Sequence, residues 1–275
     1  MTQNLVRAML TCLLLGCLSA SGVAQSRAIR GILLADLNWQ QAEKVLSPET
    51  VVVIPLGAEA KEHGPHLRLD NDLKLARYFT RRVLAAVDVV VAPTLTYSYY
   101  PAFLEYPGST SLRLETARDT VVDVVRSFAG YGVRRFYVLN TGVSTLRPLA
   151  AAAEMLAKEG IVLRYTDIAR AGGEVEKQIA EQKRGSHADE IETSMMLYIA
   201  PDRVDMRRAV RDDNPDAPGP LRRTPGGKGV YSPSGIWGDP TLATRAKGKL
   251  IVEARLRSIL VDIQMLKTAA LANAP

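Results

Sequence analysis

Short runs of β-branched and aliphatic residues alternate along the chain with longer stretches whose apolar residues recur at helical spacing. The runs 51–57 (VVVIPLG), 88–95 (DVVVAPTL), 134–140 (RRFYVLN) and 162–168 (VLRYTDI) predict strands. Between them, 72–86, 114–130 and 146–159 predict amphipathic helices, the first through Leu73, Leu75, Ala76, Phe79, Val83 and Leu84. Further helices fit 189–200 and about 243–269. Strands that alternate with helices in this way form βαβ units around a mostly parallel sheet, so the fold class is α/β. The stretch 210–240 is rich in Pro, Gly and Asp and predicts a long ordered loop, of the kind that covers a site or makes a subunit contact. In parallel sheets ligands bind beyond the carboxyl ends of the strands, which directs attention to the residues after 57, 95, 140 and 168.

The first residues break the pattern. Arg7, an apolar run over roughly residues 8 to 18 and a small-residue exit ending at Ala24 form a secretory signal, too short to span a bilayer. Cleavage after Ala24 leaves one domain, 25–275, whereas Leu14-Leu15-Gly16-Cys17 offers a lipoprotein cut that would leave a lipid anchor on Cys17. Either way the protein is expected to be exported, periplasmic or secreted, with no membrane span. Both cysteines, Cys12 and Cys17, lie in this leader, so cysteine catalysis is excluded under the ordinary cut. Among charged residues the leader holds only Arg7, and the remainder carries 34 basic against 29 acidic side chains. The basic residues are dispersed in pairs such as Arg81-Arg82 and Arg222-Arg223 without interleaved aromatics, which argues against a nucleic-acid partner.

Chemistry concentrates after the first strand. GAEAKEHGPHLRLDND, residues 57–72, holds Glu59, Glu62, His63, His66, Asp70 and Asp72, and two of the three histidines of the chain. Imidazole and carboxylate together suit zinc or manganese, and Gly64-Pro65 makes a turn that can aim both histidines. Asp72 follows Asn71, a candidate helix cap, and so falls at a helix N-terminus near the strand end. The third histidine, His187, lies five residues before Glu192, a polar residue at the head of an otherwise apolar helix face. Tyr97, Tyr99, Tyr100, Phe103, Tyr106 and Trp237 can line an aromatic pocket or serve as core and interface.

These segments resemble the creatininase (creatinine amidohydrolase) family. Pro55-Leu56-Gly57, His63-Gly64-Pro65-His66-Leu67 and Asp72 are similar to its first motif, and His187, Glu192-Thr193-Ser194 and Met196-Leu197 to a later one. Tyr106-Pro107-Gly108-Ser109-Thr110-Ser111-Leu112 and Gly132-Val133-Arg134-Arg135 resemble two more in the same order, so the likeness spans about 33 to 270. The resemblance implies a three-layer α/β/α fold, a ring-shaped homo-oligomer and a binuclear metal site that activates water against an amide carbon. It implies His63 and Asp72 as metal ligands, His187 as the proton relay and Glu192 as its support.

The motifs also depart from the family. Lys61 stands where its glutamate ligand belongs, and Asn140-Thr141-Gly142-Val143-Ser144-Thr145 places Gly142 and Ser144 where it has a ligand histidine and an acid. Neutral hydroxyls are poor substitutes for those ligands. The expectation is therefore a single divalent ion, zinc or manganese, on His63 and Asp72 with Glu62 or Glu192, and Lys61, His66, Asn140 and Ser144 as further site candidates. Two functions follow. One is an amidohydrolase acting on a small cyclic amide or another non-peptide C–N bond, with peptide trimming compatible with the same residues. The other is a catalytically lapsed member that binds a small molecule or a partner in the same cleft.

Overall fold

The structure is a computed structural model and describes residues 30–214, 219–226 and 228–271; the leader and its Cys17 lie outside them. Strands β1 (Ile32–Leu33), β2 (Val51–Leu56), β3 (Val90–Val91), β4 (Arg135–Asn140) and β5 (Val162–Tyr165) form one parallel sheet in the order β1-β3-β2-β4-β5. Every residue of β2 is buried, as expected of a central strand covered on both faces.

The two faces sort by alternation. Val51, Val53, Tyr137 and Leu139 point to one side, where helices α2 (Asn71–Ala86), α6 (Glu190–Ile199) and α7 (Arg245–Lys267) pack. Val52, Ile54, Phe136 and Val138 point to the other, against α3 (Leu114–Ala129) and α4 (Leu146–Ala157). This is the three-layer α/β/α arrangement. Helix α7 lies close on α6 because Gly248 has no side chain; a Cβ there would run into the Ser194 carbonyl.

Several boundaries move from their predicted places. The 88–95 strand pairs only at Val90–Val91, and Pro93 just beyond has no N–H for a ladder. The 162–168 strand pairs with β4 only as far as Tyr165. Helix α1 (Trp39–Val45), strand β1 and helix α5 (Gly173–Ile179) were not predicted; the two helices bury no residue fully and carry little periodic signal. Asn71 is the first residue of α2 rather than its cap, and Asp70 at the cap position bonds Arg203 at 2.6 Å instead. The stretch 210–240 contains two short parallel strands, β6 (Leu221–Arg222) and β7 (Val230–Tyr231). Among the described residues no helix is long and apolar enough to cross a membrane.

Candidate active site

Strand β2 ends against the first turn of α2. Gly57 permits this approach, since a Cβ would collide with the Asp72 backbone, and Leu73 donates its N–H to the Ala58 carbonyl at 3.1 Å. Asp72 is thereby fixed at the carboxyl edge of the sheet with no exposure to solvent.

Around it the segment 61–63 folds back. Lys61 Nζ lies 2.8 Å from Asp72 Oδ2, both side chains buried. His63 Nε2 lies 3.0 Å from Asp72 Oδ1, and His63 Nδ1 lies 2.9 Å from the Lys61 carbonyl, to which it donates. Burial pushes the Asp72 carboxyl up, but the Lys61 ammonium and then His63 pull it farther down, well below the usual carboxylate range. For Lys61, burial favours the neutral amine, yet Asp72 first and Glu192 next raise its pKa overall, so it is a cation at neutral pH.

A second group comes from the head of α6. Asp189 caps the helix through the Ile191 and Glu192 amides, each at 3.0 Å, which holds Glu192 in the first turn. His187 Nε2 lies 2.8 Å from Glu62 Oε1, and its Nδ1 lies 3.7 Å from Glu192 Oε2. Burial opposes the charge on His187, but Glu62 and then Glu192 outweigh it and raise the pKa. Burial likewise raises the Glu62 carboxyl, and His187, together with the Gly64 amide at 2.7 Å, brings it below its ordinary value.

Each histidine is thus anchored through one ring nitrogen. When neutral, His63 turns its Nε2 lone pair to Asp72 and His187 turns its Nδ1 lone pair toward Glu192, so acceptor faces acceptor in both cases. Such pairs call for a proton or a metal ion between them, and anchored imidazoles of this kind are how proteins orient metal ligands. Ligand atoms of His63, His187 and Glu192 all lie within 4.8 Å of one another. One divalent ion fits these residues. Lys61 occupies Asp72 Oδ2, and neither Gly142 nor Ser144 brings an imidazole or carboxylate.

The predicted site residues are mostly brought together, with changed partners. Glu62 turns away from the His63–Asp72 pair, because His187 and the Gly64 amide hold both its oxygens. His66 bonds Thr193 Oγ1 at 2.8 Å; burial and then nearby His63 lower its pKa to about 4, so the ring is neutral. Asn140 is a scaffold residue: its amide nitrogen donates to the Gly142 and Thr166 carbonyls, and its oxygen accepts from the Gly142 amide and the Thr145 hydroxyl. Ser144 lies on the wall of a cavity of about 700 Å³, with Lys61, Phe103, His187, Glu192 and Trp237.

Of the aromatic candidates, Tyr100, Phe103 and Trp237 line this cavity, while Tyr97 is exposed and Tyr106 donates its hydroxyl proton to the Ser232 carbonyl. Phe103 stacks against His187 with ring centroids 4.4 Å apart. The late loop covers the site. Trp237 pairs with His187 through the backbone, and any side chain at Gly235 would strike the Glu62 carboxylate. Nothing in the sequence marked Gly235 or the capping Asp189 as part of the site; Gly235 has φ +79°, and only its place over Glu62 reveals why.

Known proteins resemble the chain over most of its length. The model of the family described as creatinine amidohydrolase (Creatininase) matches residues 35–262. The chain is 32% identical over 222 residues to a mycofactocin precursor peptide peptidase of Mycolicibacterium smegmatis, covering 78% of this chain and 85% of that one. It is 27% identical over 250 residues to the creatinine amidohydrolase of Pseudomonas putida, covering 84% and 95%. Its fold superposes on a mutant creatininase of zinc–zinc type with a TM-score of 0.71 at 26% identity, over 87% of this chain and 99% of that one.

Proposed function

This chain belongs to the creatininase family, and from that premise we propose that it is an exported amidohydrolase that opens a C–N bond of a small cyclic amide or related non-peptide substrate with one divalent ion. The observation that carries this reading is the pair of anchored histidines, His63 and His187, that turn their free nitrogens toward the carboxylates of Asp72 and Glu192. Zinc or manganese suits imidazole and carboxylate donors, and a relative of known structure is of zinc–zinc type. His63, Asp72 and Glu192 would hold the ion. When bound, it supplies a water acidified to near neutrality and a polarised substrate carbonyl.

The remaining work falls to the residues of the chain. His187, made more basic by Glu62 and Glu192, takes the proton of the attacking water and returns it to the leaving nitrogen. Glu62 fixes the ring of His187 in one tautomer, with Nε2–H donated to the carboxylate. Phe103 and Trp237 exclude water from the imidazole and give a flat amide ring an apolar face.

A panel of cyclic amides, assayed with and without zinc or manganese and read by mass spectrometry for the ring-opened product, tests the reaction. Metal-dependent opening of at least one is the expected result. A second reading, peptide trimming, is favoured by the 32% identity to a peptide peptidase, and cleavage of short peptides with no cyclic amide turned over would establish it instead. Tight binding of a panel compound with no turnover under any metal would point to the lapsed, ligand-binding alternative. The intact mass of the protein from its native host reports export, with a start near Gln25 or a lipidated Cys17 expected and a retained Met1 overturning it. Light scattering at micromolar concentration reports assembly, which we expect to be a homo-oligomer.

A further inference from the structure

Lys61 is left without a task by this mechanism, although its placement is tightly determined. Its side chain is buried, its Nζ lies 2.8 Å from Asp72 Oδ2, and the rings of Phe103 and Tyr100 stand 4.8 and 5.8 Å away. An ammonium is costly to bury without a partner, and here a carboxylate on one side and ring faces on the others replace its water.

Charge counting shows what it does there. Three carboxylates surround Lys61: Asp72 at 2.8 Å, with Glu192 and Glu62 beyond it. One divalent ion and one ammonium carry three positive charges, which match these three carboxylates. A second divalent ion would leave an excess of two positive charges where the low dielectric makes unbalanced charge expensive. Asp72 has no oxygen left for a second ion, since one faces His63 and the first ion and the other is on Lys61.

We propose that the Lys61 ammonium is the second cation of the active site, standing by covalent attachment where a second metal ion would bind, and that it donates a hydrogen bond to the acyl oxygen of the substrate. Lys61 lines the cavity, and a single contact to Asp72 leaves further N–H bonds for that oxygen. When water adds to the acyl carbon, the carbonyl electron pair moves onto this oxygen. When the C–N bond breaks, the pair returns to the carbonyl, and the nitrogen leaves with the proton carried by His187. The ammonium keeps its proton throughout, so the balance of the hydrolysis is unchanged. The role in oxyanion stabilisation rests on the amidohydrolase reading; the role as a resident cation does not.

Zinc content separates the two. Wild type, K61E, K61R and K61M are equilibrated with excess zinc chloride, freed of unbound metal by gel filtration, and counted for zinc per chain, with circular dichroism checking the fold. K61E is expected to hold about one ion more than wild type, and K61R the same number as wild type. K61M should keep the wild-type ion while turnover of a panel substrate falls about 10²–10³-fold, as on loss of one oxyanion donor. Equal zinc in K61E and wild type, or two ions on wild type with Lys61 in place, would overturn the proposal. Should K61E fail to fold, K61M decides: wild-type turnover in that variant also overturns it. No ion on wild type but one on K61E would sink the one-ion reading of the function while supporting Lys61 as the resident cation.

Discussion

Strands β2 and β4 lie side by side, with Leu56 opposite Asn140, yet their ends are built from opposite materials. Beyond β2, Lys61, Glu62, His63 and Asp72 are all buried and ionisable. Beyond β4, Asn140, Thr141 and Thr145 are equally buried and carry no charge. The first end is held by charge matching, the second by a closed set of neutral hydrogen bonds around the Asn140 amide. The contrast teaches that the reaction centre is one-sided: the β4 turn is a rigid wall, and the reactive groups come from β2 and α6.

Breaking the charged end should have the largest effect. Asp72→Asn leaves a buried ammonium without its carboxylate, which costs about 3–5 kcal/mol of stability, and it should also abolish metal uptake; urea unfolding and zinc content check both. A wild-type midpoint would show that Lys61 finds water instead. Next is His187→Gln, expected to keep the ion and lower turnover about 10²–10⁴-fold, as for loss of a proton-transfer group. Loss of the ion in that variant would make His187 a ligand, which its 4.8 Å proximity to His63 and Glu192 allows.

A third effect depends on pH. His66 is neutral in the fold, with its pKa depressed from 6.5 to about 4, whereas the unfolded chain protonates it near 6.5. Its contribution is therefore fully present above pH 6.5 and lost as pH falls toward 4, by up to about 3 kcal/mol. The His66→Gln variant should gain on wild type across that window, by urea midpoints at pH 7 and 4.5, and this difference cancels the opposing trend of Asp189, whose pKa is raised to about 6 mainly by burial. Parallel pH profiles would show that the ring charges freely.

At the neutral end, Asn140→Ala should cost about 1–3 kcal/mol by stranding the Gly142 amide and the Thr166 carbonyl, without changing the zinc count. Gly142→Ala should be the mildest, about 1 kcal/mol, because on unstrained backbone a Cβ there crowds only the hydrogen-bonded Thr145 Oγ1 at 3.2 Å and meets Tyr100 at an ordinary 3.7 Å.

The sheet was legible where strands are long and covered on both faces. Val51–Leu56 and Arg135–Asn140 stand within a residue of their predicted runs, and α2, α3, α4, α6 and α7 keep their predicted places. Two-residue strands carry too few positions to show a period, so Ile32–Leu33 was missed and 88–95 overextended. In the site, His63, Asp72, His187 and Glu192 announced themselves as rare or misplaced polar residues. Their partners did not. Glu62 was placed beside its neighbour His63, but the backbone turn at Gly64 sends its carboxylate to His187, distant in sequence. The stacking of Phe103 and the closure by Gly235 belong to packing between segments, which local pattern does not encode.

The close seating of α7 on α6 sets an order of events during synthesis. Residues 245–267 are made after every residue of the site, yet Ile251, Val252, Leu256 and Ile259 complete the apolar layer against which α6 is laid. Until they arrive, α6, whose first turn carries Glu192, has no firm platform. A nascent chain that stops short of α7 thus has no working centre, and a frameshift or stop shortly before residue 245 would silence it as thoroughly as removing His63, although every reactive side chain had already been made.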